Sequence, residues 1–438
     1  MKNHLSRNAL ALVMGASLTF GLLSSRAGAL PDGWRVDLNA PSDVSNELHG
    51  ISALSASDVW AVGDVTPASD LVTRVLAKHW NGVAWVVVPA PSSKSWIFSQ
   101  FTGVSALAAN DVWAVGNFTF VAGTPEQNIN SSVIEHFDGV SWKIIQSPQS
   151  DPTIGSEYFL TAISALSAND VWAVGFGSPS SNAATLPLYE HWDGTAWTAQ
   201  FVVPFPGYGS NTDLYSVSAV SPTDVWAAGH STFSTYDSTF ISHWNGQSWT
   251  TVPTPNVNVG RDHNDLWSIH GIKANDAWAV GYGPVLNPGG YRPYQEQTLI
   301  LHWDGISWRI VPSPNVNNGS QGLGSNRLYG VTAVSATDIW ADGAWSDAPN
   351  FSTRSLIEHW NGVSWSVSPT PTVDPQTCNP DGDCTRNFLA SITSLPTGEV
   401  WTAGMYFAPL VSELGLILDR LRPPSRGAKT VQRFPAQL

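Results

Sequence analysis

The chain has 438 residues, of which only 12% are charged, while glycine and proline number 37 and 30. This turn-rich composition argues against long solvated helices and favours strands joined by turns. The formal net charge of −14 repels phosphate backbones, so we expect no nucleic-acid partner.

The first 29 residues have the layout of an export signal. Lys2 and Arg7 precede an apolar run over 9–23, and Ala27-Gly28-Ala29 offers a small-residue cleavage site. The run is shorter than a membrane span. We therefore predict a signal peptide over 1–29 and a secreted or periplasmic protein. No later segment is apolar enough to cross a bilayer, so we expect no membrane span.

The stretch Asp-Val-Trp-Ala-Val-Gly at 58–63 recurs along the chain, and its seventh copy is altered to Glu-Val-Trp-Thr-Ala-Gly at 399–404. The central tryptophans lie 52 to 62 residues apart: Trp60, Trp113, Trp172, Trp226, Trp278, Trp340 and Trp401. A repeat of this size indicates a supersecondary unit that stacks on its neighbours in an array.

Each full unit reads as four strands. In the second unit these are 101–107, 111–116, 132–137 and 142–146. Asp138-Gly139 predicts a tight hairpin between the last two strands, and 117–130 reads as a longer polar connection. Four antiparallel strands per unit, repeated seven times, are typical of β-propeller blades. No 3.6-residue periodicity indicates a helical repeat.

The seventh unit has no fourth-strand tryptophan. The segment 34–41, which precedes the first unit, begins with tryptophan and ends with proline as the other fourth strands do. We therefore predict an all-β, seven-bladed propeller over residues 30–422, closed by the N-terminal strand completing the last blade. Residues 423–438 are predicted to be a C-terminal tail.

The repeated tryptophans and histidines are predicted to be structural. Nineteen of the 22 tryptophans occupy repeat positions, where large aromatic rings fill the gaps between blades. Strand direction places each third-strand histidine beside the aspartate that begins the second strand, such as His79 beside Asp58. We expect these to form buried polar pairs that tie the strands together. In the seventh unit, a contact between Glu399 and Arg420 is expected in place of this pair.

The chain has only two cysteines, Cys378 and Cys384. In an oxidising compartment they are predicted to form a disulfide that closes a small loop. Two thiols are too few for a structural zinc site.

Strand order assigns the long, variable connections to one face of the ring, and variable loops on a rigid scaffold are where functional residues concentrate. The residues on either side of the leading Leu or Phe of each first strand should face the central channel there. Unlike the core positions, they do not repeat: Glu47/His49, Gln100/Thr102, Phe159/Thr161, Asp213/Tyr215, Asp265/Trp267, Arg327/Tyr329 and Phe388/Ala390.

Blades four to six carry most of the charged and aromatic residues at this end of the channel, which we call the mouth. The three tryptophans outside the repeat positions also map to this face. The predicted ligand-binding residues are Glu47, His49, Gln100, Asp213, Tyr215, His263, Asp265, Trp267, Arg327, Tyr329, Trp96 and Trp345. Concave sites with a few convergent polar groups favour such a location.

The pattern S-A-x-S-A-x-D-V-W-A-V-G followed by H-W-(N/D)-G-x-x-W resembles secreted bacterial propeller repeats. More distantly it is similar to tectonin-type lectin propellers, whose blades pair a V-W strand with an N-G-x-x-W hairpin. The resemblance spans about residues 34–421 and implies glycan binding, although the mouth residues are not among the shared motifs. The chain departs from WD40 repeats, since it lacks their Trp-Asp ending, and from kelch repeats, since it lacks their double glycine.

Three functions remain open. The favoured one is a monomeric, lectin-like propeller that binds a glycan or another extracellular ligand at the mouth. The second is a polysaccharide lyase or glycoside hydrolase. A lyase would use His263 or Tyr215 as base and Arg327 to neutralise a uronate, and a hydrolase would use Asp213 and Asp265 as paired carboxylates. The third is a protein-interaction scaffold.

Motifs for cofactors and metals are missing from the propeller sequence. It has no Walker loop, no dinucleotide-binding glycine run, no zincin helix and no G-x-S-x-G elbow. We therefore expect no cofactor and no metal.

Overall fold

A computed structural model describes residues 33–38, 44–67, 69–123, 126–148, 156–178, 180, 183–202, 211–233, 236–257, 263–284, 296–316, 324–346, 353–371, 385–407 and 414–420. The predicted signal peptide, the C-terminal tail and the Cys378–Cys384 disulfide lie outside these residues. Within them, no helix is long and apolar enough to cross a membrane.

Five units fold as separate four-stranded antiparallel sheets whose strands follow chain order, after a first strand β1 (Trp34–Leu38). The first sheet is β2 (Val44–Ser55), β3 (Asp58–Pro67), β4 (Arg74–Trp80) and β5 (Trp85–Val87). The second is β6 (Trp96–Ala108), β7 (Asp111–Ala122), β8 (Gln127–Phe137) and β9 (Trp142–Ile145). The third is β10 (Glu157–Ser167), β11 (Asp170–Ser178), β12 (Leu186–Trp192) and β13 (Trp197–Phe201).

The fourth and fifth units have the same form. The fourth sheet is β14 (Asn211–Ser221), β15 (Asp224–Phe233), β16 (Tyr236–Trp244) and β17 (Trp249–Val252). The fifth is β18 (Asp265–Lys273), β19 (Asp276–Pro284), β20 (Glu296–Trp303) and β21 (Trp308–Ile310). These repeated sheets confirm the all-β prediction and fit the blades of a β-propeller.

The last two units share one eight-stranded mixed sheet. The sixth unit is β22 (Ser325–Ser335), β23 (Asp338–Ser346), β24 (Thr353–Trp360) and β25 (Trp365–Ser368). The seventh is β26 (Arg386–Ser394), β27 (Val400–Phe407) and β28 (Leu414–Arg420). β1 pairs antiparallel with β28 over its whole length. The two units are joined by a single parallel pair, Thr353 with Arg386.

The strands reach further toward the long connections than the sequence predicts. In the second unit β7 continues to Ala122 and β8 begins at Gln127, so the prediction of a polar connection over 117–130 was wrong. Polar residues pair across the ladder here, since the Thr119 hydroxyl donates to Asn130 Oδ1 at 2.8 Å. Phe118 is buried on the same extension and stacks with Trp96.

The hydrophobic core lies between units rather than within them. In the described part of the chain there are seven hydrophobic clusters, and six of them combine residues from two consecutive units. The remaining cluster packs Leu48 and Trp85 of the first unit against Trp401 and Ile417 of the seventh. The seven second-strand tryptophans are at most 3% exposed, which confirms that they are core residues.

The predicted histidine–aspartate pairs are confirmed in all six units that carry them, but they are half-buried rather than buried. Histidine Nε2 lies 2.8 to 3.0 Å from aspartate Oδ1 in His79–Asp58, His136–Asp111, His191–Asp170, His243–Asp224, His302–Asp276 and His359–Asp338. Each imidazole also lies against the second-strand tryptophan, with ring centroids 4.0 to 4.5 Å apart. The histidine–aspartate pair therefore holds the second and third strands together, and the imidazole holds the indole ring of the second-strand tryptophan in place.

The seventh unit does not form the expected contact between Glu399 and Arg420. The guanidinium of Arg420 lies 4.6 Å from the ring centre of Trp340 instead. Asp419 accepts a hydrogen bond from Arg35 of β1, which is its partner in the strand register. The pairing is different because β1 brings a cation directly opposite the aspartate.

Replacing His136 with alanine should lower the free energy of unfolding by about 1–2 kcal/mol, because the half-buried Asp111 loses the imidazole and keeps only the hydrogen bond from Trp113 Nε1. Ligand binding should be unchanged, since this pair lies at the short-turn end of the strands. Urea denaturation and ligand titration of the same sample measure the two effects. Unchanged stability together with lost binding would contradict the structural assignment.

Candidate functional site

Every first strand carries one unpaired residue at the same point. In the first unit the register skips from Leu48 to Gly50 and leaves His49 without a partner in the ladder. The same β-bulge occurs in all seven units, at His49, Thr102, Thr161, Tyr215, Trp267, Tyr329 and Ala390. A bulge redirects a side chain. All seven of these residues line one cavity of about 690 Å³.

The bulge residues of the fourth, fifth and sixth units are aromatic. They are Tyr215, Trp267 and Tyr329, and we call them the aromatic wall of this cavity. The rings of Tyr215 and Trp267 stack with centroids 4.5 Å apart and an interplanar angle of 6°. Tyr329 meets Trp267 edge-on at 5.4 Å. Three neighbouring units thus bring their aromatic rings together in one cluster that lines the cavity.

In the second and third units, the bulge residues are the threonines Thr102 and Thr161. The Thr102 hydroxyl donates to the carbonyl oxygen of Leu160 at 2.8 Å, and the Thr161 hydroxyl donates to that of Leu214 at 2.8 Å. Each threonine therefore ties its own unit to the next one. Both hydroxyls are thus engaged with backbone carbonyl oxygens.

An acidic cluster lies beside the wall, at the start of strands in the fourth and fifth units. His230 Nδ1 is 3.1 Å from Asp265 Oδ1, close enough for a charge interaction but without hydrogen-bond geometry. Asp237 pairs with His263 Nδ1. Asp213 accepts a hydrogen bond of 2.6 Å from Thr185. The structure thus brings the predicted Asp213, His263 and Asp265 together.

The protonation of these carboxyls is set by different surroundings. Burial raises the pKa of Asp265, and the positive potential of His230 only partly opposes it. Burial also raises the pKa of Asp213, against the hydrogen bond from Thr185. Burial acts to raise the pKa of Asp237 as well, but the bonds from Thr232 and His263 outweigh it, so that pKa is lowered. The pKa values of neighbouring carboxyl groups are therefore shifted in opposite directions.

His230 and Asp237 were missed in the sequence analysis. His230 follows the repeated glycine of the second strand, at the position where second strands stop repeating. That position holds Asp64, Asn117, Phe176, His230, Tyr282, Ala344 and Met405. Its variability was the available signal. Asp237 follows residues that read as a connection, and the sequence gives no signal for it.

Two groups of described residues have the donor types that divalent cations take. They are Glu47, His49 and Asp64, and His230, Asp237 and Asp265, and in each group the candidate ligand atoms lie within 4.8 Å of one another. Carboxylate oxygens with one imidazole suit several divalent metals. These atoms also interact with each other, since His49 Nε2 lies 2.8 Å from Asp64 Oδ1.

A second cavity of about 440 Å³ lies between the sixth and seventh units. Arg327, Tyr329 and Trp345 line it. The Arg327 guanidinium is paired with Glu296 through two hydrogen bonds, one of them 2.8 Å from Nη2 to Oε1. It also lies 4.8 Å from the ring centre of Tyr282.

The remaining predicted residues are dispersed. Gln100 lines the large cavity with His49, whereas Glu47 is paired in the ladder with Asp64. Trp96 stacks on Phe118 with centroids 4.2 Å apart and lines neither of the two cavities. The mouth therefore has three parts: the aromatic wall, the acidic cluster, and a cavity with arginines.

No family model matches the chain, and no curated protein matches it in sequence. Among solved structures it is similar to an ulvan lyase of a polysaccharide lyase family, at 9% identity and a TM-score of 0.49 over 90% of this chain and 95% of that one. A Dyadobacter fermentans protein of unknown function is similar at 11% identity and a TM-score of 0.45, over 90% and 100%. A Bombyx mori β-fructofuranosidase is similar at 11% identity and a TM-score of 0.36, over 87% and 90%.

Proposed function

We propose that the chain is a seven-bladed β-propeller whose ring is closed by β1, and that it is exported as a monomer and binds a glycan at the channel mouth. Two observations support the ring. The single parallel pair Thr353–Arg386 is a weak link at which the mixed sheet divides into two blades. The cluster around Trp401 packs the first unit against the last. The domain limits are proposed as 1–29, 30–422 and 423–438.

The observation that carries glycan binding is the aromatic wall. Sugar rings have flat apolar faces, which pack on flat aromatic side chains, while their hydroxyls need a few fixed polar partners. Tyr215 and Trp267 line the large cavity as a stacked pair, and the parts of the two rings that do not pack on each other supply the aromatic surface for a sugar. The acidic cluster beside it supplies carboxylate acceptors for hydroxyls. A resemblance to tectonin-type lectins implies the same function.

Replacing Trp267 with alanine should weaken glycan binding by about thirtyfold, which corresponds to about 2 kcal/mol for a central aromatic contact. The probe is the oligosaccharide bound best on a glycan array, titrated while tryptophan fluorescence is followed. Trp96→Ala is the matched control, because Trp96 is on the same face but lines neither cavity. Its affinity should equal that of the wild type.

An array without any bound glycan, together with unchanged fluorescence on titration, would contradict glycan binding. In that case the protein-interaction scaffold becomes the better proposal, and a pull-down from the secreted fraction would test it. Equal losses in the Trp267→Ala and Trp96→Ala variants would place the ligand elsewhere on this face.

Glycoside hydrolysis is the second candidate, and the acidic cluster favours it. A hydrolase needs one protonated and one ionised carboxyl near each other. The lowered pKa of Asp237 and the raised pKa of Asp265 fit these two roles. The sequence-based pair of Asp213 and Asp265 fits less well, since both pKa values are raised. A reducing-end assay on Asp265→Asn and Asp237→Asn tests this, and unchanged rates would exclude both residues.

A lyase reaction is less well supported by Tyr215. Burial raises the pKa of its hydroxyl above its usual range, and the nearby Asp213 and Asp265 add to the shift. A phenolate base is therefore disfavoured at this position. His263 remains the alternative base, and an assay for unsaturated products with His263→Ala tests it.

A further inference from the structure

We infer that the 440 Å³ cavity between the sixth and seventh units binds the carboxylate or sulfate group of an acidic sugar, and that Arg386 is its main anion contact. This inference rests on the proposed glycan-binding function and names the class of glycan. Arg386 was not among the residues predicted from the sequence. It begins β26, where its backbone pairs with Thr353.

The lining of this cavity is positive in a protein that is strongly negative overall. Arg327 and Arg386 line it, and among the described residues that line it there is no aspartate or glutamate. The chain as a whole carries a formal charge of −14. A negative protein repels an anionic glycan unless a local basic patch compensates. This cavity is such a patch.

The two arginines have different partners. Arg327 is already engaged with Glu296 through two hydrogen bonds, which neutralises most of its charge. Arg386 is exposed, and among the described residues no carboxylate pairs with it. Its guanidinium lies 5.6 Å from the ring centre of Phe407, which orients it without neutralising it. The planar fork of a guanidinium matches a carboxylate or sulfate bidentately.

The aromatic residues in the lining favour a sugar as the molecule that bears the anionic group. Trp345 lines the cavity, and the Arg354 guanidinium lies 4.6 Å from its ring centre, which holds the indole in place. Tyr329 and Phe388 line both this cavity and the large one. A glycan chain can therefore extend from the arginine cavity to the aromatic wall without leaving the protein surface.

The acidic cluster fixes the direction of such a chain. Asp213, Asp237 and Asp265 lie in the fourth and fifth units, beside Tyr215 and Trp267, whereas the arginine cavity lies in the sixth and seventh units beside Tyr329. An anionic group is repelled there and attracted by the sixth and seventh units. The acidic sugar should therefore occupy the arginine cavity, with neutral residues of the chain on the wall.

Calorimetric titration with matched pairs of polymers tests the inference. The probes are dextran sulfate against dextran, and oligogalacturonate against its methyl ester. At least one of the two charged polymers should bind more tightly than its neutral counterpart, and which of them binds distinguishes sulfate from carboxylate. Arg386→Gln should raise the Kd of that polymer by about tenfold or more, the range for a hydrogen bond to a charged group. Arg386→Lys should retain part of the affinity.

Arg309→Gln is the matched control, since Arg309 is an exposed arginine at the opposite rim, paired with Asp304. It changes the net charge by the same amount and should leave the Kd unchanged. An unchanged Kd in Arg386→Gln, or an equal loss in Arg309→Gln, would overturn the inference. Binding of a neutral glycan that depends on Trp267 without any preference for anions would overturn it and leave the proposed function standing. If no glycan binds, both fail.

Discussion

Replacing Gly281 with alanine is expected to lower the free energy of unfolding by about 3 kcal/mol or more, the cost of forcing extra volume into a close-packed site. A Cβ atom at this position would lie 1.9 Å from the carbonyl oxygen of Asp265. No side-chain rotation relieves this contact, because the obstacle is backbone. That carbonyl begins the bulge that carries Trp267, so the variant should also lose affinity for the glycan.

Gly283→Ala is the matched control, two residues further along the same strand. A Cβ there would meet side chains and no backbone atom within 3.8 Å: Asn264 Oδ1 at 3.2 Å, and Val257 at 3.7 Å in ordinary van der Waals contact. Its free energy of unfolding should stay within about 1 kcal/mol of the wild-type value, since the lost freedom of the unfolded chain offsets a small adjustment. Urea denaturation and glycan titration of both variants measure the two effects. Equal stabilities for Gly281→Ala and Gly283→Ala would show that the bulge tolerates the extra atom.

The same close approach explains why a glycine ends every copy of the repeat. In all seven units a Cβ on that glycine would lie 1.8 to 2.1 Å from a carbonyl oxygen of the first strand: Gly63, Gly116, Gly175, Gly229, Gly281, Gly343 and Gly404. This glycine is therefore the residue that permits the bulge, and the bulge turns the unpaired side chain of the first strand into the cavity.

The four-stranded units and their tryptophan core could be predicted from the sequence, because both follow from a pattern repeated seven times. The His–Asp pairs could be predicted for the same reason, since strand direction alone brings His136 to Asp111. The strand extensions could not. Asparagines such as Asn117 and Asn130 are typical of loops. Only the pairing of Asn117 with Ser132, and of Asn130 with Thr119, makes them strand residues.

The candidate site could be predicted only in part. Tyr215, Trp267 and Tyr329 were found because they break a repeat on a face with long connections. Asp237 and Arg386 were not, since each stands at the end of a variable segment where no register from the repeat applies. Their positions depend on which strand ends meet at the mouth, and that is a property of the assembled sheets.

The repeat pattern also does not predict a set of buried carboxyl groups. Glu135 and Glu190 are fully buried in third strands, and burial raises the pKa of each to about 8. Burial also raises the pKa of Glu358 well above its usual value and that of Asp342 to about 7. Glu190 accepts a hydrogen bond from Ser147, but among the described residues neither oxygen of Glu135 has a hydrogen-bond partner.

These carboxyls should make the protein less stable as the pH rises from about 5 to about 8. Below the unfolded pKa of 4.5 each glutamate is protonated in both states, so it imposes no penalty. Above that value the unfolded chain ionises, whereas the folded chain must keep the proton or bury a charge. Each group then costs about 1.4 kcal/mol per pH unit until the folded pKa is reached. Urea denaturation at several pH values between 5 and 8 measures this slope.

The Glu135→Gln variant should remove one such group, and its stability relative to the wild type should rise by about 4 kcal/mol between pH 5 and pH 8. Any fixed cost of the buried amide is the same at both pH values and cancels in this difference. Glu126→Gln is the control, because Glu126 is exposed in the hairpin of the same unit. It should leave the slope unchanged. A wild type whose stability is level from pH 5 to 8 would mean that these carboxyls ionise in the folded protein with solvent beside them, and that the space between blades is open to water.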